Sequence, residues 1–486
     1  MEDKNLKSKT ISSMLWSALG RFGTIGITFI ANIVLAHLLT PKDFGCIGML
    51  QIFISVSEVF VLGGFGAALI QKRNPTHIDY TTVFYWNLFV AILMYVLLYY
   101  SAPYIARFYE MPLLCDVLRV QSIVVLISAF SFVQTTQLQK QLRFREISIR
   151  GVTAALAGVL VSIVMAFMGF GVWSLVTLHI VVSITSVLLL WRMSEWRPTL
   201  EFSWQSFKSL FPFGSLMAAS SLVETLYTNI QGLIIGKWYT PQDMGYYAQA
   251  RKLEQVPTSA LSAIVGQVVF PVFSMLNDKK EKLKDSLRKS IKSISFLCFP
   301  ICALLIVIGR PLIRLLYGSQ WDDSVLYFQI LCLSGMAYII NCMNLNVIKS
   351  LGRGKVYFIM QTTKRLIGIC LIIIGMTFGV VGIVCSITVT FYVDFIINSF
   401  VVNKLLGYGI VNQVSDVKGI FAVAFGIGLL LYILGIYIPL HQYVVMIIQI
   451  VVYVFSYLWI SKLFKIEGYF LYRDIINRYI NKKLWN

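Results

Sequence analysis

The chain has 486 residues, of which 58% are hydrophobic and only 13% charged, and its mean hydropathy is +0.76. A soluble domain carries about 25% charged residues, so composition argues against a cytosolic enzyme, a secreted module and a DNA-binding protein. The excess of 41 Lys and Arg over 22 Asp and Glu fits the cytoplasmic loops of a many-span membrane protein rather than a nucleic-acid surface.

Apolar runs occur in chain order at 14–37, 46–70, 80–101, 117–137, 148–168, 172–191, 212–236, 246–275, 293–309, 325–347, 356–378, 380–402, 418–438 and 442–461. Each has the length of a spanning helix, about 20 residues, so the fold class is an all-α polytopic membrane protein of about fourteen transmembrane helices. The first run is too long for a signal-peptide core and lacks a small-residue cleavage site, so it reads as a retained helix. Pro and Gly punctuate the joins, as at Thr40-Pro41, Asn74-Pro75, Gly169-Phe170-Gly171, Gly352-Arg353-Gly354 and Pro439. Within the second run, Gly63-Gly64-Phe65-Gly66 reads as close packing or a bend, and Pro257 in the eighth run as a kink. The basic stretch Asp278–Lys284 reads as an interfacial helix drawn to anionic membrane lipid. The eight cysteines are scattered along apolar runs and the four histidines lie far apart, so neither a disulfide framework nor a metal site is expected. No Walker sequence is present, and no cofactor is expected.

Orientation follows from the basic residues. With the N-terminus in the cytoplasm and sides alternating, 32 of the 41 fall in cytoplasmic segments. Only Lys42, Arg107, Arg119, Lys237, Arg310 and Arg314 fall on the far side, while Arg21, Arg251 and Lys252 belong to neither class. This asymmetry places both termini in the cytoplasm.

The chain repeats itself. Thr40-Pro41-Lys42-Asp43-Phe44-Gly45 returns as Thr240-Pro241-Gln242-Asp243-Met244-Gly245, with Thr28 over Thr228 and Gly66 over Gly266. Pro103, Tyr109 and Val117 then match Pro311, Tyr317 and Val325, and Lys140 matches Lys349 after a one-residue slip. Each unit holds six helices, an even number, so the repeats are parallel and related by an axis along the membrane normal. The expected domains are 1–200 (first lobe), 201–410 (second lobe), and 411–486 (two further helices and a cytoplasmic tail). In transporters, substrate binds at the seam between such repeats.

Polar residues inside the runs form stripes at helical spacing. The first run carries Ser17, Arg21, Thr24 and Thr28, and the seventh carries Ser221, Glu224, Thr228 and Gln231. The second run carries Gln51, Ser55 and Glu58, and the eighth Arg251, Gln255, Thr258 and Ser262. Ionisable groups are costly in hydrocarbon, so four repeat-related polar faces suggest a hydrated, partly cationic cavity. The bland reading is interhelical glue, with Arg21 paired to Glu224 and Arg251 to Glu58. Lys252 and Glu254 read as locally paired or snorkelling, and Asp394 as a lobe-internal polar residue.

Leu38-Leu39-Thr40-Pro41-Lys42-Asp43-Phe44-Gly45, Gly245-Tyr246-Tyr247-Ala248, Pro257 and Phe270-Pro271-Val272-Phe273-Ser274 carry a family resemblance. On these motifs the chain resembles the polysaccharide-transporter branch of the multidrug/oligosaccharidyl-lipid/polysaccharide exporter superfamily, and in particular bacterial lipopolysaccharide and O-antigen flippases. The resemblance implies two six-helix lobes in a V plus two extra helices. It also implies transfer of a polyprenyl-diphosphate-linked oligosaccharide, destined for lipopolysaccharide, O-antigen, capsule or exopolysaccharide, across the bacterial cytoplasmic membrane by alternating access. Its implied partners are that lipid-linked oligosaccharide, a coupling ion (H+ or Na+) and glycan-assembly proteins. Arginine suits a diphosphate head, which it grips through paired N–H donors. A drug or cation antiporter of the same fold would favour carboxylates; Glu58 and Glu224 suit it, and Arg21 and Arg251 do not. A membrane polymerase or ligase would need an outer loop with acids and bases, whereas the longest such segment, Arg310 to Asp323, offers only Asp322 and Asp323.

Overall fold

The computed structural model describes residues 2–484; Met1 and Asn486, the chain ends that the charge pattern assigns to the cytoplasm, lie outside the described residues. Every regular element among them is helical. In the first half these are α1 (Glu2–Leu38), α2 (Pro41–Leu62), α3 (Phe65–Gln71), α4 (His77–Phe108), α5 (Leu113–Gln121), α6 (Ile123–Lys140), α7 (Phe144–Phe167), α8 (Val172–Met193) and α9 (Trp204–Trp238). Next come α10 (Pro241–Ile264), a π-helical turn (Val265–Val269) and α11 (Phe270–Met275). The remainder is α12 (Lys280–Val307), α13 (Gly309–Tyr317), a 3-10 turn (Ser319–Trp321), α14 (Ser324–Ser350), α15 (Gly354–Met376), α16 (Gly379–Leu406), α17 (Ile410–Tyr437), α18 (Gln442–Leu463) and α19 (Glu467–Leu484).

Every apolar run is helical, and twelve helices among the described residues are long and apolar enough to span a membrane. The two runs that fall outside that set are α9 and the α10–α11 segment. They carry the polar stripes of the seventh and eighth runs, so they are short of apolarity rather than of length. One expected element differs in detail, and one expected bend is a full break. The basic stretch around Lys280 is not a separate interfacial helix: it forms the first turns of α12, which continues unbroken to Val307. The second run is broken, since α2 stops at Leu62, Gly64 takes φ +116°, and α3 restarts at Phe65. A Cβ on Gly64 would lie 1.9 Å from the carbonyl oxygen of Gly214, so the break lets α9 approach the backbone directly.

Packing divides the chain into two compact units, Met1–Gly245 and Tyr246–Asn486. This division falls beyond residue 200 because α9 packs on α2, α3 and α4. Its N-terminal half is held by an aromatic cluster in which Phe207 stacks on Phe65 at 5.9 Å and meets Trp86 at 4.6 Å. Its C-terminal half approaches through glycines: a Cβ on Gly236 would lie 2.7 Å from Met49 Cγ and 2.9 Å from Tyr109 Cε1. Small residues allow such close helix contact where lipid offers no hydrophobic drive. The α1–α7 pair uses the same device, with Gly20 against Ser148 and Ser148 Oγ donating to the Trp16 carbonyl at 2.6 Å.

In the second unit, α12 and α14 form the centre, and α14 is the most deeply buried spanning helix. The helices beyond the repeat are bound to it by polar contacts. Asn344 on α14 and Gln413 on α17 exchange amide hydrogen bonds at 3.0 and 3.2 Å, and Tyr457 on α18 donates to the Phe296 carbonyl at 2.9 Å. Asp416 on α17 receives a forked bond from Arg288 (2.8 and 2.7 Å), while Lys292 reaches Glu467 on α19 at 2.6 Å.

The repeat is visible as matched local geometry. Thr40 and Asp43 cap α2 reciprocally, with Asp43 accepting from the Thr40 N–H at 2.9 Å and from its hydroxyl at 2.7 Å. Thr240 and Asp243 repeat this at 3.1 and 2.7 Å at the start of α10. Both satisfy N–H groups that a helix start leaves open. The hydroxyls of Thr28 and Thr228 each turn back onto their own helix, at 2.9 Å to the carbonyls of Thr24 and Glu224. Tyr109 and Tyr317 are both buried.

Candidate functional site

Arg21 lies in the middle of α1, exposed, and forms no ion pair among the described residues. Its neighbours on the stripe diverge. Thr28 is exposed, whereas Thr24 turns towards α7, where a Cβ on Gly151 would meet its Oγ1 at 3.3 Å. On α2, Gln51 is exposed and donates to Ser55 Oγ at 2.8 Å, so the expected shared face exists, and Glu58 is half-buried one turn beyond Ser55. On α9, Glu224 and Thr228 are both exposed. Within the polar stripes of α1, α2 and α9, the first unit thus carries one cation, Arg21, and two carboxylates, Glu58 and Glu224.

The stripe of α10 splits between two environments. Gln255 is exposed, but Thr258 is buried against α14: a Cβ on Gly335 would lie 2.9 Å from its Cγ2 and 3.5 Å from Glu254 Oε1. Arg251 is half-buried and takes its ion pair from Glu254, one turn along its own helix, at 3.4 Å. It also sits over the Phe391 ring at 5.9 Å. Glu254, which sequence reasoning set aside as a local partner, is therefore the buried carboxylate that holds Arg251. The signal was its i,i+3 spacing from Arg251.

Two other charged positions were missed by the stripe argument. Arg150, counted with the cytoplasmic loops, stands in the second turn of α7 and donates to Thr135 Oγ1 at 3.1 Å. Lys364, also counted with the loops, is fully buried in α15. A charge count along the sequence assigns both by distance from the run ends, and it cannot see a neighbouring helix. Outside the spanning segments, Arg314 on α13 grips Asp322 with both ends of its guanidinium, donating from Nε to Oδ1 at 2.7 Å and from Nη2 to Oδ2. Those hydrogen bonds hold the Asp322 carboxyl below the usual carboxylate range. Of the two acids in the segment Arg310 to Asp323, Asp322 is thus committed to a fork.

Known proteins resemble the chain in both sequence and shape. The family model for polysaccharide biosynthesis proteins matches residues 34–326, more than half of the chain. The chain belongs to that family. It is similar to the lipopolysaccharide biosynthesis protein WzxC of Escherichia coli, 24% identical over 403 residues that cover 82% of each chain. It is also similar to the succinoglycan biosynthesis transport protein ExoT of Rhizobium meliloti, 25% identical over 73% of this chain and 72% of that one. Among solved structures it shares the fold of the lipid II flippase MurJ in an inward closed conformation, with a TM-score of 0.77 at 16% identity, covering 95% of this chain and all of the other. The expected polytopic helical fold of this polysaccharide family, a multi-pass membrane protein, is therefore the one observed.

Proposed function

We propose that this family member is a flippase that carries a polyprenyl-diphosphate-linked oligosaccharide across the bacterial cytoplasmic membrane by alternating access, with both termini in the cytoplasm. The observation that carries the reading is Arg21, an exposed cation within a spanning helix. A guanidinium stays charged in a poor solvent and offers a planar fork to a phosphate. Names of relatives support the direction: one acts in lipopolysaccharide biosynthesis, one is a succinoglycan transport protein, and the protein sharing the fold is a lipid II flippase. The cargo would be a membrane glycolipid with an anionic head, and the chain would make and break no covalent bond. Glu58 and Glu224 would balance the cationic face when no cargo is present and weaken its grip so that cargo can leave. Gln51, Thr24, Thr28, Gln255 and Thr258 stand on the same stripes; Thr28, Gln51 and Gln255, the exposed ones, are the better candidates for sugar hydroxyls. A coupling ion and glycan-assembly proteins complete the proposed system.

The test is surface glycan in cells that carry each variant as their only copy, with membrane abundance measured alongside. Arg21→Ala is expected to abolish export while the protein still accumulates, and Arg21→Lys to restore it only in part, because an ammonium lacks the fork. Arg251→Ala alone would leave the buried Glu254 without its cation, so it is paired with Glu254→Gln to separate cargo binding from folding. Normal surface glycan in the Arg21→Ala, Arg251→Ala, Glu254→Gln triple variant would remove the phosphate role.

A further inference from the structure

Helix α19 follows α18 after a short connection, Phe464 to Ile466, and the corner between them is tight. Lys465 takes φ +51°, its N–H donates to the Lys462 carbonyl at 3.3 Å, and the Ile466 N–H reaches back to the Ser461 carbonyl at 2.9 Å. Those are the two bonds of a Schellman cap, which ends a helix and turns the chain sharply. The first turns of α19 are then fixed on α12. A Cβ on Gly468 would lie 2.6 Å from Phe296 Cγ, and the Tyr472 ring stacks on that of Phe296 at 5.9 Å. The Tyr472 hydroxyl also donates to the Ser293 carbonyl at 3.3 Å. Lys292 bridges two further helices, at 2.6 Å to Glu467 on α19 and 3.2 Å to Asp416 on α17.

Both attachments of α19 mark one depth. The apolar run of α12 begins at residue 293, and that of α18 ends at residue 461. Beside the corner, Trp459, Leu463 and Phe464 are exposed together with Lys462 and Lys465, the mixture of aromatic and basic side chains that belongs at a bilayer's headgroups. From there α19 turns Tyr469 and Tyr472 towards the core of its unit and leaves Arg473, Asp474 and Asn477 exposed. Its sequence carries Arg473, Arg478, Lys482 and Lys483 against Glu467 and Asp474, and Glu467 is bound to Lys292.

We propose that α19 lies in the headgroup layer and binds anionic phospholipid there, so that the segment after α18 is a lipid-binding surface rather than a free tail. The occupant follows from charge and depth. A basic helix held at headgroup depth attracts phosphate-bearing anionic lipid and gains little from a zwitterionic bilayer. The Arg473 guanidinium stands over the Phe470 ring at 5.0 Å, an apolar support for a cation at the membrane boundary. The tight corner leaves no slack for α19 to swing out to a soluble partner. Binding also has a structural consequence: Glu467 and Asp416 share one ammonium, so headgroups that hold α19 steady the contact of α17 with α12. The inference rests on α12 and α18 as spans and is independent of the cargo.

The test uses the full chain in nanodiscs, with a spin label on Asn477→Cys in a background lacking reactive cysteines. Collision of the label with an aqueous nickel chelate is compared between phosphatidylcholine and phosphatidylglycerol. Phosphatidylglycerol is expected to cut the collision rate several-fold, and high salt to restore it. With Arg473→Gln, Arg478→Gln, Lys482→Gln and Lys483→Gln combined, the two lipids should give the same rate. The comparison in the chain that keeps its basic residues decides the matter whether or not that combined variant folds. Equal rates in the two lipids there overturn the proposal. A label shielded in both lipids and indifferent to salt also overturns it, because protein, whether this chain or a second copy, then covers the face. Shielding by inorganic phosphate in detergent, without bilayer lipid, overturns it as well and makes the site one for a free anion.

Discussion

Arg21 and Arg251 arise from one sequence argument and end in different surroundings. Arg21 stands alone and exposed, whereas Arg251 is held by a buried Glu254. Their variants should therefore differ in kind: Arg21→Ala in detergent should unfold at the wild-type temperature, and Arg251→Ala at a lower one, since it strands a buried carboxylate. Equal melting temperatures for the two would contradict this. Gly45 and Gly245 make a matched pair of demands. A Cβ on Gly45 would lie 1.8 Å from the Pro241 carbonyl oxygen, and one on Gly245 would lie 1.9 Å from that of Pro41. Each glycine thus lets the first turn of one repeat touch the first turn of the other. Gly45→Val should cut membrane abundance sharply, while Gly26→Ala, with no atom within 4 Å of its Cβ position, should leave it unchanged; immunoblotting of membranes compares the two. Outside the spanning helices, the Arg314–Asp322 fork supplies a pH test. The Asp322 pKa is depressed in the folded chain, so the fork's stabilisation is present above the unfolded value of about 4 and is lost as pH falls through the lower folded value. The stability gap between wild type and Asp322→Asn should be full at neutral pH and close in strong acid, read by thermal melts across pH.

At the scale of elements, the repeat preserves a discontinuity as well as caps. Helix α2 breaks at Gly63–Gly64, and 200 residues later α10 gives way to the π-helical turn Val265–Val269 before α11. The sequence marks both places, with Gly66 over Gly266 and Pro257 upstream in the second copy, but only the first carries a glycine pair. In α10, Pro257 removes one backbone donor and the π turn adds a residue to the helical ladder, both recognised causes of a weak point. Amides of 258–269 should therefore exchange hydrogen faster than those of α14, and Pro257→Ala should slow them. Uniform protection along α10 and α14 would rule out a hinge here. The polar stripes themselves were legible from spacing alone. Where they divide, as between exposed Gln255 and buried Thr258, the cause is Gly335 on α14, a position 77 residues further along the chain that no periodicity reports.

At the scale of the molecule, the charge asymmetry predicts a topology that cysteine labelling can test. Of the eight cysteines, Cys370 is exposed, so a background lacking reactive cysteines is needed first. Cysteine at Lys42 should then react with an impermeant reagent from outside, and cysteine at Lys280 only after the membrane is opened. Labelling of Lys280→Cys in intact cells would reverse the assignment. The two units also show where linear reasoning stops. Residue 200 is the boundary that the spacing of the six-helix repeat predicts. Packing nevertheless groups α9 with the first unit, because Phe207 enters an aromatic cluster with Phe65 and Trp86, and Gly232 and Gly236 admit α2.

The order of residues alone identifies an all-helical, multi-pass protein of the polysaccharide family, with a capping motif that returns 200 residues later. Those features are local or periodic: twenty apolar residues make a span wherever they stand, and Thr-Pro-x-Asp caps a helix through bonds within four residues. It also determined which side chains break the apolar pattern. What each of those side chains meets is set by how the helices pack. Lys364 could be counted as a loop charge until Asp394 and Asn398 were found beside it on the next helix, and Arg251 could be paired with any acid until Glu254 was found buried at its side. The physical reason is that the energy of a charge in a membrane protein is set by its neighbours and by the water they exclude, and the packing of whole helices chooses those neighbours.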